Sequence, residues 1–218
     1  MATPTTPRSA RQAASGVRSA KQVRSQLKHD ALLLAGRRLL DAQGLRSLSV
    51  AQLTRDAGMS VGSFYSRFED KNAWFAELLR VTGEAVLADT QALLGSARWA
   101  RAANRAKVEL IVRHIVDVHR EHRGIFRAAL GDAARAAQFG AALHVFGLRI
   151  GDEVHAALVD QMLRVPIRQR RLRVGIALQL VYGMLVNAVL RDPGPIALAD
   201  RRMERELTRV FLGTVSLD

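Results

Sequence analysis

The chain contains no cysteine, so it can form neither a disulfide framework nor a thiolate metal site. Its first residues lack the apolar core of a signal peptide, and we expect a reducing, cytoplasmic setting. The sequence shows no alternating strand pattern and no internal repeat. It also lacks a Gly-rich phosphate loop and a convergent set of acidic residues, which argues against an enzyme.

Acidic residues are scarce near the N-terminus, where none precedes Asp30. Residues 1–23 combine Pro, Ser, Thr and Ala with basic side chains, and we predict a basic flexible arm that is disordered when free. Lys and Arg outnumber Asp and Glu by 13 to 6 through Arg80, and by 20 to 14 after it. The formal net charge of +13 predicts an anionic partner, most often nucleic acid and sometimes a membrane surface.

A single long uncharged run lies between Arg173 and Arg191. It is slightly short for a bilayer span, which needs about 20 residues. Because Gln179 and Asn187 interrupt it, we predict a buried helix and no membrane partner. Gly175 and Gly183 alternate with these two residues at every fourth position, and this stripe of small or polar groups allows a second helix to approach closely.

Apolar residues recur at helical spacing from about Ser25 to the end of the chain. Gly and Pro residues separate the periodic segments, and the pattern predicts an all-α protein of about nine helices. The first helix would end at Gly44. Its inward-facing residues are predicted to be Leu27, Ala31, Leu34 and Leu39.

The stretch AGMSVGSFYSRFEDK, residues 57–71, contains two helix starts and a turn. Ser49 and Gln52 form a capping-box pattern that starts a helix at Val50. Gly58 ends that helix, and Ser60 is the N-cap residue of the next one. The order of helix, tight turn and helix is the helix-turn-helix layout, whose second helix lies in the major groove of DNA.

The second of these helices has two contrasting faces. Val61, Phe64, Tyr65 and Phe68 share one side, which we predict to be buried. The opposite side carries Gly62, Ser63, Ser66 and Arg67, which are small or basic. Small side chains at positions 62 and 63 would let the backbone approach DNA, and we expect the Tyr65 hydroxyl and the Lys71 ammonium group to contact the sugar-phosphate chain.

Two motifs in the sequence suggest other chemistry. Residues 58–62 satisfy the hydrolase pattern G-x-S-x-G, but that motif requires a preceding strand, and the capping box predicts a helix there instead. His114, His119 and His122 could suggest a metal site. Because His119 and His122 continue an apolar helical face among arginines, we predict core or helix-end histidines, with no metal and no cofactor.

Residues 57–71 also resemble the signature of the TetR family of transcriptional regulators. The similarity runs through residues 57–65 and includes Phe68 and Lys71, within a region of about residues 25–80. Thr54 and Val61 depart from the common pattern. The resemblance implies an N-terminal three-helix DNA-binding domain at residues 24–76 and a C-terminal helical domain at residues 77–218 for ligand binding and dimerisation.

The resemblance also implies a mechanism: a homodimeric repressor that a small apolar ligand releases from its double-stranded DNA operator. Helices near residues 168–190 and 197–215 would form a four-helix bundle with a second copy. The ligand would shift the helix that begins at Lys71 and so change the spacing of the recognition helices. Two other interpretations stay open: a non-specific basic DNA-binding protein without a ligand, and an all-α enzyme.

Three sets of site residues follow from this interpretation. The residues expected to contact DNA are Arg24, Ser49, Ser60, Val61, Gly62, Ser63, Tyr65, Arg67 and Lys71. The residues expected to line the ligand site are Trp99, His119, Phe126, Phe139, Phe146 and Tyr182. The residues expected in the dimer interface are Gly175, Gln179, Gly183, Asn187, Leu207 and Phe211.

Overall fold

Ten α-helices and one 3-10 turn form the regular structure within residues 9–131, 133–191 and 194–217, the part of the chain that this computed structural model describes; side chains are described from Gln22 onward. No strand occurs in that part, so the all-α prediction is confirmed. The helices are α1 (Ser9–Ser47), α2 (Val50–Asp56), α3 (Val61–Tyr65), α4 (Lys71–Leu94), α5 (Ala97–Arg101), α6 (Asn104–Glu121), α7 (Arg123–Leu130), α8 (Ala133–Leu158), α9 (Ile167–Arg191) and α10 (Arg202–Val215), with the 3-10 turn at Val159–Gln161.

Helix α1 begins earlier than the sequence indicated. Residues 9–23 of the predicted flexible arm are helical, whereas residues 1–8 lie outside the described residues. Pro7 is the last proline before this helix, and the Ala, Arg and Gln residues that follow are strong helix formers. The helix is interrupted at Gly44, where φ is 72°, a conformation that favours glycine.

The inward face of α1 differs from the predicted one. Leu27 and Leu34 are exposed, so placing them inside was wrong. The side that faces the core is instead set by Trp74 of α4, which is fully buried and packs against the backbone of Gly36. The core residues of α1 are Leu32, Leu33, Ala35 and Leu40.

Two hydrophobic clusters divide the interior. The first joins α1 to α4 around Phe64, Trp74 and Phe75, and it also takes in Ile125 of α7 and Phe139 of α8. The second occupies the C-terminal half of the chain, from Val86 to Leu217. Helix α4 contributes to both clusters, so it passes without a break from the N-terminal helices into the C-terminal ones.

Helix α9 is long and apolar enough, by length and composition alone, to cross a membrane. In the structure it packs against α10, α8 and α6. Its inward residues belong to the second cluster, which makes it a core helix of the C-terminal half, as predicted. Those inward residues are Val174, Ala177, Leu178, Val181, Leu185, Ala188 and Val189.

Candidate nucleic-acid interface and effector cavity

The turn between α2 and α3 is fixed by local hydrogen bonds. The Gln52 amide donates to Ser49 Oγ over 3.1 Å, and the Ser49 amide donates to Gln52 Oε1 over 3.0 Å, which completes the predicted capping box. Gly58 follows α2 with φ of 66°, where a side chain would be strained. The Met59 amide then donates to the Thr54 carbonyl over 2.8 Å and closes the turn.

Helix α3 is a single five-residue turn with one buried side and one open side. The Ser63 amide donates to Ser60 Oγ over 3.2 Å and caps its start. Phe64 is fully buried, and Phe68, just past the helix, is buried beside it at a centroid distance of 5.4 Å. These two rings anchor α3 to the first hydrophobic cluster.

Val61 and Tyr65 do not join the buried side, contrary to the sequence interpretation of that face. Val61 is 42% exposed and Tyr65 is 56% exposed. The Tyr65 ring packs edge-on against Phe64 at 5.3 Å and leaves its outer side open. In so short a helix the two phenylalanines suffice for anchoring, so the first and last residues face outward along with Gly62.

Gly62 has no side-chain neighbour that would require a glycine. A Cβ atom built there would meet only Ser60 Oγ, at 4.0 Å, and the residue lies within α3 with helical geometry. Gly58, in contrast, is required by its backbone conformation. The fold therefore does not require a glycine at position 62.

Two basic residues expected on DNA have partners inside the domain. Lys71 Nζ donates to the Leu45 and Leu48 carbonyls over 2.9 and 2.7 Å, which leaves one of its three N–H groups. Burial, and to a smaller extent the charge of Arg135, lowers the Lys71 pKa. Arg67 Nη1 donates to the Ser63 carbonyl over 2.9 Å, so its guanidinium lies against the end of α3 rather than pointing away from it.

The other expected DNA residues lie on or near the same surface. Ser60 and Gly62 are exposed, Ser63 is half-buried, and Ser49 is exposed with its hydroxyl engaged in the capping box. Arg24 is exposed on α1, and the Ser25 hydroxyl one residue later accepts a 3.4 Å hydrogen bond from Arg67. We call the exposed residues Ser60, Val61, Gly62 and Tyr65 the α3 surface.

A cavity of about 1080 Å³ lies in the C-terminal half, enclosed by α4, α6, α7, α8 and α9. Its walls are mainly apolar, with Val86, Ile115 and Ile150 among them. Four residues predicted for a ligand site line it: His119, Phe126, Phe146 and Tyr182. A volume of this size accommodates a drug-sized molecule.

The other two predicted ligand residues are elsewhere. Trp99 is buried in the second cluster, with Lys107 Nζ 5.5 Å from its ring centroid, and it does not reach the cavity. Phe139 packs edge-on against Phe75 at 4.9 Å in the first cluster. Neither side chain lines this cavity. Apolar spacing identifies a buried side chain but not which of two clusters contains it.

Neutral polar groups gather on the α6 side of the cavity. His119 Nδ1 donates to the Ile115 carbonyl over 2.8 Å, and its ring stacks on Phe126 at 4.4 Å with planes 2° apart. Burial lowers the His119 pKa to about 4, so the ring is neutral at pH 7. The Tyr182 ring lies 6.0 Å from it, and the Tyr182 hydroxyl is shielded from solvent without a hydrogen bond.

Two more histidines on α6 and at its end line the same cavity. The Thr90 hydroxyl donates to the Val86 carbonyl over 2.8 Å, so His114 Nε2 donates the 2.9 Å bond that joins the two side chains. His122 is buried, and its Nδ1 has no hydrogen-bond partner among the described residues. Burial lowers the pKa of both histidines. The spacing of Ile115, His119 and His122 indicated that His122 shares a face with buried residues, but it did not indicate a cavity, and it did not include His114.

The mouth of the cavity is different in character. Arg168 and Arg171 at the start of α9 line it, together with Asp152 of α8. Arg171 Nη2 donates to Asp152 Oδ1 over 2.5 Å at the surface. No pattern in the sequence indicated that Arg168 and Arg171 border a cavity.

The junction of α6 and α7 holds the N-terminal helix α1 against the cavity half of the molecule. Arg37 of α1 pairs with Glu121 over 2.5 Å, and the Gly124 amide donates to Asp41 Oδ1 over 2.8 Å. His122 lies between these two contacts in sequence and lines the cavity. A side chain of the cavity wall is thus within two residues of both links to α1.

The predicted dimer residues fall into two groups. Gly175, Gln179, Gly183 and Asn187 are exposed on α9. Leu207 and Phe211 of α10 are instead buried in the second cluster and offer no surface to a second copy. We call the exposed apolar and small residues of α9 the α9 face: Leu172, Gly175, Ile176, Gln179, Leu180, Gly183 and Asn187.

Comparisons with known proteins agree with this architecture. Residues 32–78 match the profile of the family described as "Bacterial regulatory proteins, tetR family". A search of curated protein sequences gave no match. The matched segment runs from the middle of α1 into α4 and contains the whole α3 surface.

Solved structures share the fold over most of the chain. A TetR-family transcriptional regulator from Mesorhizobium loti has a TM-score of 0.67 at 17% identity, covering 88% of this chain and 97% of its own. The fatty acid degradation regulator FadR from Bacillus halodurans has a TM-score of 0.60 at 12% identity, with coverage of 86% and 94%. NalD, the secondary repressor of a multidrug efflux pump in Pseudomonas aeruginosa, has a TM-score of 0.57 at 22% identity, with coverage of 87% and 96%.

Proposed function

We propose that this protein, which carries the DNA-binding domain of the TetR family at residues 32–78, is a homodimeric, sequence-specific transcriptional repressor that a small apolar ligand releases from its operator. The observation that carries the proposal is the orientation of α3. The buried rings of Phe64 and Phe68 anchor α3 to the core, while Val61, Gly62 and Tyr65 face outward. A one-turn helix with a glycine at its outer centre can approach base edges closely.

In this proposal the outer residues have distinct roles. Val61 offers an apolar contact to a thymine methyl group, and Gly62 and Ser63 allow close approach to the base edges. Tyr65 and the remaining N–H of Lys71 contact phosphates and fix the register. Arg24 on α1 adds positive charge beside the groove.

A second copy would pack on the α9 face. Exposed Leu172, Ile176 and Leu180 alternate there with glycines, and α9 carries no acidic residue that would oppose an identical helix. The same face borders the cavity, because Gly175, Gln179 and Gly183 line both. A ligand in the cavity would therefore touch a helix that also sets the spacing between subunits.

Ligand entry would weaken DNA binding through two connections. Helix α4 lines the cavity at Val86 and begins at Lys71 beside α3. The α6–α7 junction lines the cavity at His122. It also contacts α1 through the Glu121 ion pair and the Gly124 hydrogen bond. A ligand must favour the released form by a few kcal/mol to be effective, since about 1.4 kcal/mol changes affinity only tenfold.

The proposal is tested by selecting bound duplexes from a random pool with the full-length protein. We expect a two-fold symmetric site whose half-sites lie one helical turn, or a multiple of it, apart. Enrichment of no sequence, with tight binding to every duplex, would instead identify the non-specific binder that the net charge of +13 also permits.

A further inference from the structure

We propose that the part of the cavity between His119 and Tyr182 recognises an uncharged hydroxyl group, so that the effector is an apolar alcohol or phenol rather than a carboxylate. This inference rests on the proposed function and names the ligand class for it. Tyr182 and His119 supply the recognising atoms. The two side chains come from α9 and α6, and their ring centroids are 6.0 Å apart.

Tyr182 contributes an unused hydroxyl. The oxygen is shielded from solvent and makes no hydrogen bond within the described residues, although the ring lines the cavity. Leaving a buried polar group unsatisfied costs about 1–3 kcal/mol. A ligand oxygen that accepts from this hydroxyl would remove that cost, which gives the site a preference for oxygen-bearing molecules over hydrocarbons.

His119 contributes the complementary atom. Its Nδ1 proton is already donated to the Ile115 carbonyl, so in the neutral ring Nε2 carries a lone pair and no proton. Stacking on Phe126 fixes the plane of the ring. His119 Nε2 can therefore accept a hydrogen bond from a ligand, while the Tyr182 hydroxyl can donate one. A hydroxyl group can make both bonds at once, and a ketone oxygen can make only one of them.

The neutral histidines disfavour a carboxylate between His119 and Tyr182. Burial keeps His119 and His122 neutral by lowering their pKa values, so neither offers the positive charge that a buried carboxylate needs. The cations that line the cavity are Arg168 and Arg171, and they lie at the start of α9, more than two helical turns before Tyr182. An anionic group could be held beside Arg168 and Arg171 but not between His119 and Tyr182.

Three compounds with the same naphthalene ring system distinguish these cases: 2-naphthol, naphthalene and 2-naphthoate. Their dissociation constants for the full-length protein are measured by calorimetry at pH 7.5, where 2-naphthol is uncharged. We expect 2-naphthol to bind about tenfold more tightly than either of the others, as one to two net hydrogen bonds would give. Equal binding of 2-naphthoate, or no binding of any of the three, would overturn the proposal.

A variant of Tyr182 tests whether its hydroxyl contacts the ligand. Tyr182→Phe removes only the unpartnered oxygen, so we expect the fold to persist with an equal or higher melting temperature. The affinity for 2-naphthol should fall to that for naphthalene, and naphthalene binding should stay the same. Tyr65→Phe, the change of the other tyrosine of the chain, serves as the matched control and should leave both affinities unchanged. Unaltered 2-naphthol binding by Tyr182→Phe would refute the assignment.

The outcome is separable from that of the proposed function. Selection of duplexes by the ligand-free protein tests operator recognition without any effector. If the protein selects no operator but shows the expected naphthol preference, the ligand site stands and the regulator proposal fails. If it selects an operator and shows no preference, the hydroxyl proposal alone fails.

Discussion

The Gly124 amide donates a 2.8 Å hydrogen bond to Asp41 Oδ1, which ties the start of α7 to α1. The approach is too close for any side chain at position 124. A Cβ atom there would lie 2.3 Å from Asp41 Oδ1 and 2.6 Å from the Asp41 backbone nitrogen. This hydrogen bond, together with the Arg37–Glu121 ion pair, links the cavity half of the molecule to its N-terminal half.

Gly124→Ala should therefore separate α7 from α1. Because backbone atoms must move, we expect the free energy of unfolding to fall by about 1–3 kcal/mol and ligand-dependent release of DNA to weaken. Urea unfolding and DNA binding with and without ligand measure the two effects. Gly213→Ala in α10 is the matched control, since a Cβ there meets nothing within 4 Å, and it should raise stability by about 0.5–1 kcal/mol. Equal stabilities of the two variants would contradict the role of this contact.

Gly62→Leu should abolish operator binding and leave the fold intact. The new side chain would project from the α3 surface into the groove, and among the described residues only Ser60 Oγ, at 4.0 Å, lies near a Cβ atom built there. A gel-shift titration and a melting curve give the two readouts. Gly58→Leu is the contrasting variant: its φ of 66° opposes a side chain, so its melting temperature should fall. Normal operator binding by Gly62→Leu would show that α3 does not enter the groove.

Lys71→Met should lower stability and the salt dependence of DNA binding together. The change leaves the Leu45 and Leu48 carbonyls without their charged donor, which we expect to cost about 1–3 kcal/mol. Loss of one phosphate contact should flatten the plot of log binding constant against log salt by about one unit. Lys28→Met, on the exposed side of α1, is the control and should leave the free energy of unfolding unchanged. An unchanged slope would mean that Lys71 makes no phosphate contact and acts only through its hydrogen bonds within the domain.

Local features of the site could be predicted from the sequence because they depend on neighbouring residues. The Ser49–Gln52 capping box, the Ser60 and Asp70 caps and the Gly58 turn are each complete within a few positions, and the structure contains all four. The match of residues 32–78 to a regulatory family lies in the same region.

Contacts between distant segments could not be predicted in this way. The Lys71 bonds to Leu45 and Leu48 cross 26 and 23 positions, and no periodic pattern indicates them. Apolar spacing showed that Leu207 and Phe211 share a face of α10, but a face that packs in the core and one that packs on a second subunit have the same pattern. Trp74 likewise determined which leucines of α1 turn inward.

Gly183→Asp should convert the proposed dimer into monomers. Nothing lies within 4 Å of a Cβ built at Gly183, so the substitution should not strain the isolated subunit. In a dimer it would place two unpaired carboxylates on the apolar α9 face, where desolvation is costly. Sedimentation velocity measures the change, and Ala85→Asp on the exposed side of α4 is the control. If Gly183→Asp remains a dimer, the subunit contact does not lie on α9.

Stability should fall with acidification because His119 is buried in its neutral form. Burial lowers its pKa from 6.5 to about 4, so the unfolded chain takes up a proton first as the pH falls. The contribution of His119 is therefore fully present above about pH 6.5, declines below it, and should amount to a loss of about 2 kcal/mol by pH 5. Carboxylates titrate in the same range, so the informative quantity is the difference in unfolding free energy between the native protein and His119→Gln, measured in urea from pH 7.5 to 4.5. We expect that difference to shrink as the pH falls, and a constant difference would mean that His119 is accessible to protons in the folded protein.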